Sequence, residues 1–185
     1  MKPSPVDVEG VSTTSPRGQA VAVTAAFEQY HAELYSYLRR STRDEGAAED
    51  LMQESFLRLF KEVEAGRTPD NVRAWLYRVA SNLAISRGRR ASTVIDWMSR
   101  YGRSGGSTVE SPESDVLGRE RTAALDAVLA DLPADDRTAL LLSAQGFSGE
   151  EIAQAIGRSN GATRTMLCRA RVRVRLELER RGDVR

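Results

Sequence analysis

The chain of 185 residues is 41% hydrophobic and 29% charged with a formal net charge of +1, the make-up of an ordinary folded protein of one or two small domains. No apolar run approaches the roughly 18 residues of a membrane span, and Val21-Ala22-Val23 is too short and too far in for a signal peptide, so no membrane insertion is expected. The single cysteine, Cys168, excludes an internal disulfide and a cysteine metal cluster, which fits a reducing cytoplasm.

Residues 1–22 are rich in Pro, Ser and Thr without a period, and a disordered tail is expected there. From Thr24 to Arg40 the spacing predicts an amphipathic helix with Phe27, Tyr30, Leu34 and Leu38 on one side. His31 has no second ligand-type residue placed for a metal and is expected to be solvated or at the core edge. After a polar loop over Ser41–Gly46, a helix is expected over Ala47–Glu64. Met52, Phe56, Leu59, Phe60 and Val63 should face inward, and Asp50, Gln53, Glu54 and Arg58 outward. Gly66–Pro69 ends it, and Asp70 is the expected cap of a third helix running to Arg87. There Val72, Leu76, Val79 and Leu83 form the apolar stripe. Arg78, Asn82, Ser86, Arg89 and Arg90 follow on another side with no acid among them, a row able to hold phosphates and to hydrogen-bond base edges. Trp75 and Tyr77 add rings on which an unpaired base could stack, against the competing expectation that Trp75 is core.

Residues 91–113 are rich in Gly, Ser and Pro and are expected to be a linker, with Ile95, Trp97 and Met98 able to pack on a neighbouring domain. Asp115–Leu132 should be helical, with Leu117, Leu125, Val128 and Leu132 inward. Pro133 suits the first turn of a further helix running to Gln145, with Leu140, Leu141 and Ala144 apolar. After Gly146-Phe147, Ser148 and Glu151 have capping-box spacing, Gly157 can end the short helix in the left-handed region, and Ser159 can cap the next. In that last helix Thr163, Leu167, Ala170 and Val174 make one inward stripe. Arg164, Cys168, Arg171 and Arg175 repeat at the same spacing on another side. A short helix, a glycine turn and a cationic second helix form a helix-turn-helix, whose second helix enters the DNA major groove. A helical hairpin with a solvated arginine face is the bland alternative.

No segment alternates for long like a strand. The expected fold is all-α: two small helical domains, residues 23–90 and 114–181, joined by a flexible linker over 91–113, the C-terminal one a helix-turn-helix. The near-zero net charge hides segregation, with arginines crowding Arg73–Arg90 and Arg158–Arg181 and acids crowding Asp44–Glu64 and Glu110–Asp136; local patches set the field a phosphate backbone feels. There is no phosphate-cradling glycine loop, no nucleophile beside a histidine and no histidine–carboxylate metal pattern, so neither an enzyme nor a cofactor is expected.

Together these residues resemble a bacterial sigma factor of the extracytoplasmic-function (ECF) group, over Phe27 to Leu178. DLMQESFLRLF at Asp50–Phe60 and WLYRVASN at Trp75–Asn82 are family-like in the first half, and LPADDR at Leu132–Arg137 and GFSGEEIAQAIGRSNGATRTMLCRAR in the second. The family's Asn-x-x-x-Asp-x-x-Arg-Arg ending is present as Asn82, Ser86, Arg89 and Arg90, with serine in place of the aspartate.

The resemblance implies a factor that binds core RNA polymerase, directs it to promoter DNA and helps melt it. By position, Asp50, Leu51, Gln53 and Glu54 lie on the helix that docks on the polymerase clamp. Arg78, Asn82, Ser86, Arg89 and Arg90 lie where the minus-ten element and its flipped base are taken up. Ser159, Asn160, Arg164, Cys168 and Arg171 lie at the minus-thirty-five reading helix. Met166 and Cys168 replace a usual basic residue and histidine, so the promoter sequence is not inherited. The acidic linker would thread channels otherwise occupied by RNA, and a separate anti-sigma factor is an expected controller. A one-component helix-turn-helix regulator that never binds core polymerase, and a pure protein-interaction module, are the rival readings.

Overall fold

The computed structural model describes residues 16–101 and 124–181, and all regular structure among them is helical. α1 spans Pro16–Thr42, α2 Glu45–Glu64 and α3 Val72–Tyr101; α4 covers residues 124–130, followed by α5 (Ala134–Ala144), α6 (Gly149–Ile156) and α7 (Asn160–Arg181). No helix among the described residues is long and apolar enough to cross a membrane.

α1 starts at Pro16 and not near Thr24, so the last part of the expected tail is helical; residues 1–15 lie outside the described ones. Proline's fixed φ suits a first turn, and the alanines that follow are strong helix formers. Thr42 Oγ1 donates to Leu38 O at 2.8 Å, and Arg43 takes a left-handed φ of 61°. That conformation costs a non-glycine residue roughly 1–2 kcal/mol. It turns the chain at once into α2, whose first turn is capped by Asp44 accepting from Ala47 N at 2.9 Å. Leu34 and Leu38 are fully buried as expected, whereas Phe27 is 40% exposed, stacks on His31 and makes a T-shaped contact with Phe56. In α2, Phe56, Leu59 and Val63 point inward, but Phe60 faces out.

α3 departs from expectation at both ends. Its cap is Asn71, which accepts from Ala74 N at 2.9 Å, and not Asp70. It runs on to Tyr101, through the first part of the expected linker, because no Gly or Pro interrupts residues 91–101 and Gly102 is the first breaker. The rest of the linker and Leu117 fall outside the described residues, as do the side chains of Ile95, Trp97 and Met98. In α4, Val128 points inward with the following Leu132, while Leu125 is exposed.

The capping box of α6 forms as its spacing requires: Glu151 N donates to Ser148 Oγ at 3.3 Å, and Ser148 N to Glu151 Oε2 at 2.8 Å. Gly157 ends α6 with φ +67°. Ser159 then caps α7, accepting from Ala162 N at 3.3 Å. Thr163, Leu167 and Ala170 are buried in the stripe their spacing predicts.

The fold is thus two helical regions, but their cores are continuous. One buried cluster runs from Leu34, Leu38 and Leu59 through Leu76 and Tyr77 to Leu142, Ile152 and Ile156. α3 lies along α6 and the start of α5. Ala80, Ala84 and Gly88 recur every four residues on α3, and at Gly88 a β-carbon would meet Ala134 Cβ at 3.7 Å. Two regions each near the lower size for a self-sufficient core gain shared apolar burial by this contact.

Candidate nucleic-acid interface

The side of α7 flanking its buried stripe carries Asn160, Arg164, Cys168 and Arg171, with Ser159 at its N-cap, all exposed, and Cys168 is a free thiol. The helix-turn-helix geometry holds this face. Thr163 is fully buried with its hydroxyl donating to Ser159 O at 3.0 Å, and Leu167 and Ala170 sit against the helices behind. Arg171 Nη2 donates to Ser143 Oγ at 2.8 Å, so one arginine of the face is steadied from α5. Arg173, on the next strip, pairs with Asp136 at 3.6 Å. Exposed guanidinium groups two turns apart on one side of a helix can contact phosphates or the guanine edge in a major groove.

The second row lies on α3. Arg78, Asn82, Ser86, Arg89 and Arg90 are all exposed, while Leu76, Tyr77, Ala80, Ser81, Ala84 and Ile85 hold the opposite side in the core. Tyr77 is 1% exposed, so it offers no ring to a base; the rings of Tyr37 and Phe147 pack against it at a tilt. Trp75 is half-buried against the core cluster, in line with its packing alternative.

On α2, Asp50 and Gln53 are exposed and Glu54 is half-exposed, with its Oε1 accepting from Arg58 Nε at 2.7 Å. Leu51 is different: at 8% exposure it anchors the helix in the core and is not part of the open strip. Beside the strip, Leu57 and Phe60 are exposed large apolar side chains that helical periodicity alone placed inward or left aside.

The structure brings the two arginine-bearing regions to one acid. Asp135 Oδ2 accepts from Arg158 Nη2 at 2.6 Å and from Arg89 Nη2 at 3.4 Å. The Asp135 hydrogen bond and its charge hold the Arg158 guanidinium above its ordinary value. Farther along, Arg73 lies over the rings of Tyr77 (5.1 Å) and Phe147 (4.8 Å). It donates to Gln145 O at 3.2 Å. On the α1 side, half-buried Arg137 donates through Nε to Ser41 O at 3.0 Å and through Nη1 to the carbonyls of Leu129, Ala130 and Leu132, each at 3.4 Å. Burial, and then the charge of Arg43, lower its pKa from the ordinary arginine value.

Arg73, Asp135, Arg137 and Phe147 were not singled out from the sequence. Phe147 had a signal. It precedes the cap of α6, and Ile152 is at the position where a hydrophobic staple closes. The other three act between elements far apart in the chain, which no local period records.

Two family models match the chain: Sigma-70 region 2 over residues 26–94 and Sigma-70, region 4 over residues 122–174. The chain is 31% identical over 169 residues to the ECF RNA polymerase sigma factor SigL of Mycobacterium tuberculosis strain H37Rv, covering 90% of this chain and 94% of that one. It is also 31% identical over 164 residues to the RNA polymerase sigma-H factor of Pseudomonas aeruginosa, covering 84% and 85%. Among solved structures, the sigma factor RpoE from Bartonella quintana, crystallised with the anti-sigma factor NepR, is similar in fold. Its TM-score is 0.66 at 21% identity, covering 85% of this chain and 97% of that chain.

Proposed function

The chain belongs to the ECF group of RNA polymerase sigma factors, and from that premise we propose which of its surfaces perform each part of the task. A sigma factor directs RNA polymerase to promoters and is not itself an enzyme, so the chemistry here is recognition. The exposed strip of α2, with Asp50, Gln53 and Glu54, is the surface for core polymerase; Leu51 holds that helix in place from behind. The α3 row of Arg78, Asn82, Ser86, Arg89 and Arg90 takes the minus-ten element. Its arginines hold the backbone, and Asn82 can both donate to and accept from the Watson–Crick edge of a flipped base. The exposed face of α7, with Ser159, Asn160, Arg164, Cys168 and Arg171, takes the minus-thirty-five element. Residues 23–90 and 114–181 carry these two tasks. A separate anti-sigma protein is the proposed controller, by analogy with the relative solved beside one.

The observation that carries this reading is the pair of exposed, acid-free rows on two helices, each backed by a buried stripe that fixes its outward side. Run-off transcription with purified core polymerase on a genomic promoter library tests it. Specific transcripts that depend on this chain are expected. DNA binding without any effect on core polymerase would instead favour a one-component regulator.

A further inference from the structure

α5, α6 and α7 border a cleft of about 280 Å³ on the flank of the helix-turn-helix. Phe147, Ile152 and Leu167 give it an apolar floor; Ile152 and Leu167 are buried and the Phe147 ring is half-buried. Ser143, Asn160, Arg164 and Arg171 form a polar rim, and no acid is among the lining residues. At roughly 30 Å³ for each molecule in the liquid, the cleft has the volume of about nine waters. That lies near the lower end of small-ligand pockets, which are mostly apolar with a few placed polar groups.

The two rim arginines differ from their neighbours. Arg158, Arg173 and Arg181 pair with Asp135, Asp136 and Asp131. Arg164 pairs with none of the described residues, and Arg171 only with the neutral Ser143 hydroxyl. Seven residues apart on α7, they are separated by roughly 10 Å along the helix, with Leu167 between them. Ser143 Oγ accepts from Arg171 Nη2 at 2.8 Å, which presets one guanidinium and leaves the hydroxyl proton for a ligand oxygen. A phosphate of duplex DNA has no use for an apolar floor. Three apolar side chains under guanidinium groups that no acid neutralises suit an anion with an apolar body. A guanidinium can hold a carboxylate through two parallel hydrogen bonds, and the Phe147 ring in the wall favours an aromatic body.

We propose that this cleft is a binding site for a small aromatic carboxylate. Its ring lies on Phe147, Ile152 and Leu167, and its carboxylate takes Arg171 and Arg164 together with the Ser143 hydroxyl. Resting on the assignment of α7 to the minus-thirty-five element in the preceding subsection, the bound acid withdraws two arginines from promoter DNA. Affinity for the upstream element therefore falls as such an acid accumulates, with no partner protein needed. Gly149 keeps the mouth of the cleft open. A β-carbon there would meet only Asn160 Oδ1 within 4 Å, at 3.5 Å, so a larger side chain has the cleft to grow into.

Benzoate is the probe, with benzamide as its neutral isostere. Titrated into the full chain and followed by calorimetry and by the methyl resonances of Ile152 and Leu167, benzoate should bind with a Kd of about 1 mM, ordinary for so small a ligand. Benzamide should bind at least tenfold more weakly. Gly149→Leu should weaken benzoate at least tenfold while upstream-element binding and melting temperature stay as in the wild type. Arg164→Gln combined with Arg171→Gln, both on the exposed rim, should also weaken benzoate tenfold and serves if Gly149→Leu does not fold. With ionic strength held by NaCl, benzoate at ten times its Kd should raise the Kd for the upstream element about tenfold by competition. No saturable benzoate binding, equal binding of benzamide, or benzoate binding that survives these substitutions overturns the proposal. If benzoate binds and promoter affinity is untouched while Arg164→Ala lowers it, the site assignment stands and the competition is wrong. If benzoate binds while Arg164→Ala and Arg171→Ala hold promoter DNA like the wild type, the carboxylate cleft stands and the site assignment fails.

Discussion

The rings of Tyr37 and Tyr77 lie 5.1 Å apart, tilted by 55° and both buried, yet their hydroxyls are treated differently. The Tyr37 hydroxyl meets Ser81 Oγ at 2.7 Å, whereas that of Tyr77 has no hydrogen bond of good geometry among the described residues and only the Arg73 guanidinium as a weak donor. A buried hydroxyl left unmet costs about 1–3 kcal/mol. Tyr77→Phe is therefore expected to leave stability unchanged or raise it by about 1 kcal/mol, read from urea unfolding. Burial pushes the Tyr77 phenol up to about 12, with the Arg73 charge opposing and the Glu33 charge adding. A phenol raised in the folded state contributes stability that is fully present below the ordinary value of 10.0 and is lost as pH climbs toward about 12. Tyr77→Phe should flatten the fall in melting temperature over that alkaline range. An undiminished fall would assign it to Tyr37, whose phenol burial also raises.

Gln53→Ala combined with Glu54→Ala should weaken binding to core polymerase with the fold intact. Both are on the open strip of α2, and the Glu54–Arg58 pair is an exposed i,i+4 contact worth only about 0.3–0.5 kcal/mol. The stability change should stay within about 0.5 kcal/mol. A core-binding titration showing unchanged affinity would remove this strip from the interface.

Arg164→Ala and Arg171→Ala should both reduce binding to the upstream promoter element, with different signatures. If Arg164 reads a guanine, its loss should cost about 1–3 kcal/mol and relax one position. Arg171 is already tethered to Ser143. It is expected to act on a phosphate, so its loss should weaken all sequences alike and lower the salt slope by about 1. Competition binding across single-base variants and salt concentrations separates the two; equal binding by both mutants and wild type would exclude a DNA role for this face.

Asn82→Ala should leave closed-complex binding nearly intact and slow open-complex formation. Its side chain is exposed on α3, where a flipped base could offer a full Watson–Crick edge. On a pre-melted promoter the mutant should lose affinity at one base position only. Permanganate footprinting of bubble thymines with a parallel thermal melt decides this. Normal melting by the mutant, or a stability loss large enough to explain inactivity, would refute it.

Local chemistry was enough to determine the caps, turns and stripes of the C-terminal helices. Ser148, Glu151, Gly157 and Ser159 act on backbone groups within a few residues, and Thr163, Leu167 and Ala170 follow the helical period. The two outward rows were legible for the same reason, since a helix fixes which residues share a side. Boundaries were less so: α1 begins at Pro16 and α3 passes through to Tyr101, because propagation needs only the absence of a breaker, not a strong signal. What only the tertiary structure decided is which of a helix's two apolar flanks has a partner. Tyr77 is core because Tyr37 and Phe147 close over it, and Phe60 is exposed because none of the described residues covers its side of α2. The meeting of Arg73 with Phe147, of Asp135 with Arg89 and Arg158, and of Arg137 with Ser41 joins residues from 23 to 96 positions apart. Such contacts follow from how apolar faces of separate helices share one core, and that choice is made by packing in three dimensions, not by any period along the chain.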